Sequence, residues 1–314
     1  MADRKHSTVF RPLGHTQPLL DGTVKPKTFT IDYVDVTPLI AAFRRMVRAS
    51  EFDICELAIT TYITAKSYGK KFTAIPIFPA RALHHGAILV NTKAGISGPK
   101  DLEGKRVGVS RGYTVTTGVW ARAILQDECG VDLSKVTWVL SGDEHVEEYQ
   151  APPNVVPLEK GKKIEDMLIS GELVAAVNVE VDHPDVKPLI PNPKQAAFAA
   201  LTQRGLYPIN HTVVIRDELL EAYPDLAADA FNAFAEAKRV YIDQLKNNTI
   251  ASPTKADETN KTVMDMIGDP LPYGIEPNRT VIEQLVQNAR SQRILKNPVS
   301  VETLFAKGTH DLVG

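Results

Sequence analysis

Two histidines stand at the start of apolar runs: His211 in LYPINHTVVIR (206–216) and His85 in HHGAILVN (84–91). Imidazole titrates nearest neutrality, so a histidine held at a strand suits general acid or base chemistry. A strand-initiating histidine in a local hydrogen bond is the plainer alternative. His84 also competes with His85, because neighbours on a strand face opposite ways. Glu56 alternates with Cys55 in FDICEL (52–57), so one of the two faces any site on that side. A carboxylate there orients an imidazole or takes a proton, unless it is simply an edge-strand charge. Arg81, in FPARA, offers the planar fork that grips a carboxylate with two bonds, which lysine does not.

The stretch SRGYTVTT (110–117) lies between a strand pattern and a helix pattern. Free N–H groups and hydroxyls at a helix N-terminus bind anions, which makes Ser110, Arg111, Tyr113, Thr116 and Thr117 candidates. Thr116 and Thr117 serve equally well as cap residues. Tyr62, Tyr113 and Tyr273 could line an aromatic slot, and Asn210 lies beside His211.

Alternating strand and helix patterns must position these groups. TPLIAAFRRMVRAS (37–50) has Thr37 at a cap position, Pro38 at the first helical position and one apolar face. FDICEL, KFTAIPIFPA, GAILVN, GKRVGVS and KVTWVL read as strands. TTYITAKSYG and TVTTGVWARAILQDECG read as helices closed by Gly69 and Gly130. KIEDMLISG followed by LVAAVNV gives helix, stop and strand, and 217–245 is helical with a break near Pro224. Segments 141–163 and 184–193 look least structured. Such alternation implies α/β layers with largely parallel pairing. The expected division is residues 1–90 with 210–314 as one lobe and 91–209 as an inserted second. The chain would then cross between lobes near 86–93 and 207–214, bringing each histidine to a substrate cleft.

The chain has 314 residues and a formal net charge of −2, which gives no bias towards nucleic acid or an anionic membrane. No apolar run approaches a membrane span, and MADRKHSTVF leads into no signal-peptide core. With two cysteines, Cys55 and Cys129, and no CxxC, a cytoplasmic setting is expected. Oligomerisation is left open. DEHVEEY (143–149) and VDHPD (181–185) lack a recognised metal spacing and read as solvated loops. Gly104, Gly108 and Gly112 do not form a dinucleotide fingerprint. GVSRG (108–112) does fit the nucleophile-elbow pattern, with Asp182 and His211 following, so a serine hydrolase using Ser110 is a distant alternative.

PLLDGTVKP, FRRMVRASEFDICELAITTY, AIPIFPARALHHGAILVN, DLEGKRVGV, VWARAILQDECGV, LYPINHTVVIR and LPYGIEPNRTVIEQ run in order along nearly the whole chain. Together they resemble the 4,5-dihydroxyphthalate decarboxylase family. The sequence departs from that pattern at SGDEHVEEYQAPPN (141–154), where a Gly-Gly pair is expected, and after FDxxE. The resemblance implies a two-lobed type II periplasmic-binding-protein-like fold, each lobe a mostly parallel sheet flanked by helices, joined by two crossover strands. It also implies an aromatic carboxylate substrate, no metal and no organic cofactor. A non-catalytic solute-binding protein for an aromatic acid is the main alternative.

Direct loss of CO2 from an aryl carboxylate would leave a carbanion in the ring plane. A hydroxyl ortho or para to the carboxylate lets the ring take a proton at that carbon first, so CO2 leaves as aromaticity returns. Such a reaction needs an acid beside one carbon, for which His211 and then His85 are the expected groups. Glu56 would orient the acid, and Arg81 with the 110–117 turn would bind carboxylates.

Overall fold

In the computed structural model, which describes residues 4–314, short apolar runs bounded by turn residues become strands and 3.6-period runs become helices. The chain divides into two compact α/β units. One holds residues up to Arg81, Ile209–Ile282 and Val299–Gly314, and the other holds Ala82–Pro208 and Glu283–Pro298. The first opens with β1 (Lys5–Val9), α1 (Gln17–Leu20), β2 (Thr30–Tyr33), α2 (Leu39–Ala49), β3 (Ile54–Ala58), α3 (Ile59–Ser67) and β4 (Phe72–Arg81). The second contains β5 (Ile88–Asn91), β6 (Arg106–Val109), α4 (Thr116–Asp127), β7 (Thr137–Leu140), β8 (Val155–Pro157), α5 (Ile164–Ser170), β9 (Ala175–Val177), β10 (Val186–Pro188) and α6 (Pro193–Arg204). The chain re-enters the first unit with β11 (Ile209–Arg216), α7 (Asp217–Ala222), α8 (Leu226–Asn247) and α9 (Lys255–Ile267). From there α10 (Arg279–Ser291) leads into 283–298.

The first unit's sheet has the order β2-β1-β3-β11-β4. β1 runs parallel to both neighbours, and β11 is antiparallel to both β3 and β4. Every residue of β3 is buried, the pattern of a strand covered on both faces. α2 contributes its periodic stripe of Ala42, Phe43, Met46 and Val47. The second unit's sheet has the order β10-β5-β9-β6-β7-β8, with β5 antiparallel to both β9 and β10 and the other pairs parallel. α5 packs closely on β6 at Gly108, where a Cβ would stand 2.6 Å from Ile164 Cγ2.

Several sequence-based expectations change. Pro38, not Thr37, is the N-cap of α2, with extended backbone and no side-chain cap bond. His85 opens a 3₁₀ turn over His85–Ala87, so β5 begins only at Ile88. The stretches expected to be least structured supply β8 and β10, three-residue strands at the sheet's two edges that each end in proline, where a missing N–H is tolerated. Residues 82–90 pack with the second unit because β5 pairs with β9 and β10. Residues 283–298 do so because Gln292 bonds Arg122 Nε and the Val119 carbonyl through its side-chain amide.

Candidate active site

Glu56 is an ionisable side chain in the middle of a wholly buried strand, with no solvent exposure of its own. A carboxylate so placed must be bonded or neutralised. Its Oε1 accepts from His211 Nδ1 at 2.5 Å, and its Oε2 accepts the Arg11 backbone N–H at 2.8 Å. Arg11 Nη2 stands 3.5 Å from Oε1. Burial alone would push the carboxyl up. The hydrogen bond and charge of His211, followed by Arg11, more than reverse this and hold Glu56 below the usual carboxylate range.

The topology explains the convergence. β1, β3 and β11 are adjacent, and Arg11 lies just beyond the end of β1, beside β3. On β11, His211 pairs with Ala58 and Val213 with Glu56, so histidine and carboxylate are diagonal neighbours on one face. The pairing of β11 with β4 shifts register on both sides of His211. Pro76 and Pro79 of β4 lack ladder donors and lie in the stretch of β4 where the register shifts. Phe43 of α2 meets the His211 ring edge-on, with centroids 5.1 Å apart.

Arg11 Nη2 also lies 3.1 Å from His211 Nδ1. One nitrogen cannot both donate to Glu56 and accept from arginine. The shorter contact to an ionised acceptor decides the tautomer: Nδ1 carries the proton. Nε2 then has no hydrogen-bond partner among the described residues, and the side chain is 15% exposed. A buried carboxylate, an imidazole with one nitrogen open and a half-exposed guanidinium form a unit suited to moving a proton beside an anion.

Arg11 was not singled out by sequence reading; its only signal was an arginine two residues past a strand. His15 was missed as well. It is almost fully buried, lies 5.7 Å from the Tyr241 ring, and among the described residues its Nε2 has no partner. Burial pushes its pKa down to about 4 against the opposing charge of Glu56, so it is neutral near pH 7.

Arg81 lies at the same end of the sheet as His211, since Arg81 pairs with Ile209 and Ala80 with His211. Its Nη2 donates to the Pro272 carbonyl at 3.0 Å and to Asn278 Oδ1, so this arm of the guanidinium is held within its own unit. We therefore expect Arg81→Lys to cost about 1–3 kcal/mol of stability, read from the urea midpoint, with little change in the Michaelis constant. A raised constant at an unchanged midpoint would return Arg81 to the clamp role.

Asn210 adjoins His211 and so faces the other side of β11. Tyr62 and Tyr273 do not line a slot, because both are fully buried. Tyr62 donates to the Leu304 carbonyl and accepts the Ala74 N–H at 3.1 Å, and Tyr273 lies under Lys238 Nζ at 5.1 Å. Burial raises both phenols.

His85 falls in the other unit from His211. Its Nε2 contacts Glu128 at 3.0 and 3.2 Å, and Arg204 joins the same carboxylate at 2.5 Å. Burial would raise Glu128, but His85 and Arg204 hold it low.

Within 110–117, the Ser110 N–H donates to the Val177 carbonyl and the Arg111 N–H to Ser141 Oγ. The Tyr113 N–H bonds Glu144, a residue of the chain itself. Thr116 and Thr117 are the first residues of α4 and Val115 is its cap, so neither threonine caps the helix. The nucleophile elbow is overturned. Six residues separate β6 from α4, and the residue with positive φ is Arg111 at 72°, not Ser110.

No protein-family model matches the chain. It is similar to the 4,5-dihydroxyphthalate decarboxylase of Comamonas testosteroni, 30% identical over 310 residues that cover 92% of each chain. Among solved structures it resembles the desulfurization enzyme DszB (TM-score 0.54, 13% identity, 96% of each chain). It also resembles the periplasmic aliphatic sulphonate binding protein SsuA from Escherichia coli (TM-score 0.53, 12% identity, 98% of each chain). At those identities the structural likenesses establish the periplasmic-binding-protein fold alone. The sequence match establishes more: this chain belongs to the 4,5-dihydroxyphthalate decarboxylase family.

Proposed function

We propose that the protein decarboxylates a hydroxylated aromatic carboxylate without a cofactor, with 4,5-dihydroxyphthalate to protocatechuate and CO2 as the first assignment. The observation that carries this reading is the Glu56–His211 pair, with Nδ1 committed to a buried carboxylate and Nε2 open. In its protonated form His211 gives the Nε2 proton to the carboxylated ring carbon, while the phenol para to it loses its own proton and becomes ketone-like. The C–C bond to the carboxylate then breaks, CO2 leaves, and the bonding pair restores the aromatic ring. One proton is consumed overall. Ionised Glu56 stabilises the imidazolium, and Arg11, 42% exposed at its side chain, supplies cationic charge for a substrate carboxylate or phenolate. The family relationship supports the same chemistry.

CO2 evolution tests it. Release is expected from 4,5-dihydroxyphthalate and none from phthalate, which lacks the hydroxyls. Activity is expected to survive dialysis against a chelator. Binding of hydroxyphthalates without any CO2 would favour a solute-binding protein, and loss of activity on chelation would point to a metal.

A further inference from the structure

DEHVEEY was expected to be a solvated loop, yet it folds onto the second unit. Val146 is fully buried, and His145 and Tyr149 nearly so. Glu144 directs its carboxylate at the turn before α4. Oε1 accepts the Tyr113 N–H, and Oε2 accepts the Thr114 N–H at 3.1 Å and the Thr114 hydroxyl at 2.5 Å. The turn is shaped for this contact, since a Cβ on Gly112 would stand 2.8 Å from Glu144 Cδ. At the start of the loop Ser141 Oγ takes the Arg111 N–H at 2.8 Å, which fixes the segment at a second point.

A buried cation lies behind the turn. Arg122 has no solvent exposure, and its Cζ sits 3.8 Å from the centroid of the Tyr113 ring. Nη2 donates to the Tyr113 carbonyl at 2.6 Å, Nε donates to Gln292 Oε1 at 2.8 Å, and among the described residues Nη1 has no partner. Among the described residues no carboxylate forms an ion pair with Arg122, and Glu144 is the carboxylate whose charge acts on it. Converging N–H and O–H donors backed by a buried guanidinium recognise a carboxylate or a similar oxyanion.

We propose that Glu144 is a specificity residue: its carboxylate holds the place of a ligand anion before α4, the unit therefore admits no anionic substituent there, and its removal opens a site for carboxylate or sulfate. The proposal concerns the second unit only and does not depend on the decarboxylase reading.

Titration calorimetry with sodium sulfate, and separately with phthalate, tests it without any catalytic readout. Glu144→Ala is expected to bind at least one of the two anions at least about tenfold more tightly than the wild-type protein, and Glu144→Ala/Thr114→Val is expected to lose that gain. Equal binding by wild type and a folded Glu144→Ala overturns the proposal, as does a gain that survives Thr114→Val. Should Glu144→Ala fail to fold, Glu144→Gln keeps the shape while presenting an uncharged amide to the donors. It too should bind more tightly than wild type, and equal affinity overturns the idea.

Discussion

His211→Ala is expected to lower turnover by about 10²- to 10⁴-fold while leaving substrate affinity nearly unchanged. The imidazole meets its partners through Nδ1 and through the Phe43 edge, so its open nitrogen is available to the reaction rather than to ground-state binding. An interaction made only in the transition state appears in kcat, whereas one made equally in both states appears in KM. Steady-state kinetics on 4,5-dihydroxyphthalate, with the inactive variant's affinity measured by calorimetry, separates the two. An equal loss of affinity and turnover would mark His211 as a binding residue. His211→Asn serves as a second variant, since it retains an Nδ donor for Glu56 but no group that titrates near neutrality.

Glu56→Gln should be costly to the first unit. It removes the charge from a fully buried acceptor that serves His211 and two groups of Arg11. Disrupting such a buried set costs about 3–5 kcal/mol near pH 7. The sign of its pH dependence follows from the depressed carboxyl. Folded Glu56 lies below its ordinary value of 4.5, so its contribution is fully present above that pH and disappears as pH falls through the folded value. The stability gap between wild type and Glu56→Gln should therefore be constant above about pH 5 and narrow on further acidification. Turnover should fall with it, because an amide stabilises imidazolium poorly. Combining Glu56→Gln with His211→Ala should add little to the kinetic loss of the histidine change alone, since the two residues act as a unit. Additive losses, or a stability gap that widens in acid, would break the pairing. Denaturant midpoints from pH 3 to 8 and the double variant's kcat provide both measurements.

Much of this protein is legible from local pattern. FDICEL, GKRVGVS and KVTWVL become β3, β6 and β7, and the helical stretches around Phe43 and Trp120 become α2 and α4, because hydrophobic period and terminating glycines act over a few residues. His211 and Glu56 were also readable as candidates, since a titratable group inside an apolar strand is conspicuous. Their bond was not. It depends on β11 inserting antiparallel between β3 and β4, more than a hundred residues away in sequence, in the register that sets Val213 opposite Glu56. For Arg81 and Tyr273 the residue type was readable but its contacts were not: Arg81 Nη2 meets the Pro272 carbonyl and Asn278 Oδ1, and Tyr273 is fully buried.

The amino-acid sequence by itself determined the α/β class, the positions of most elements and the chemical types on offer, all of which follow from short-range periodicity and turn chemistry. Only the tertiary structure decided which polar groups are partners. Arg11 joined Glu56, Glu128 took His85, and Glu144 filled the turn that sequence had assigned to an outside anion. Pairing of buried charges is settled by which strands and loops lie side by side, and desolvation then makes each such pairing obligatory.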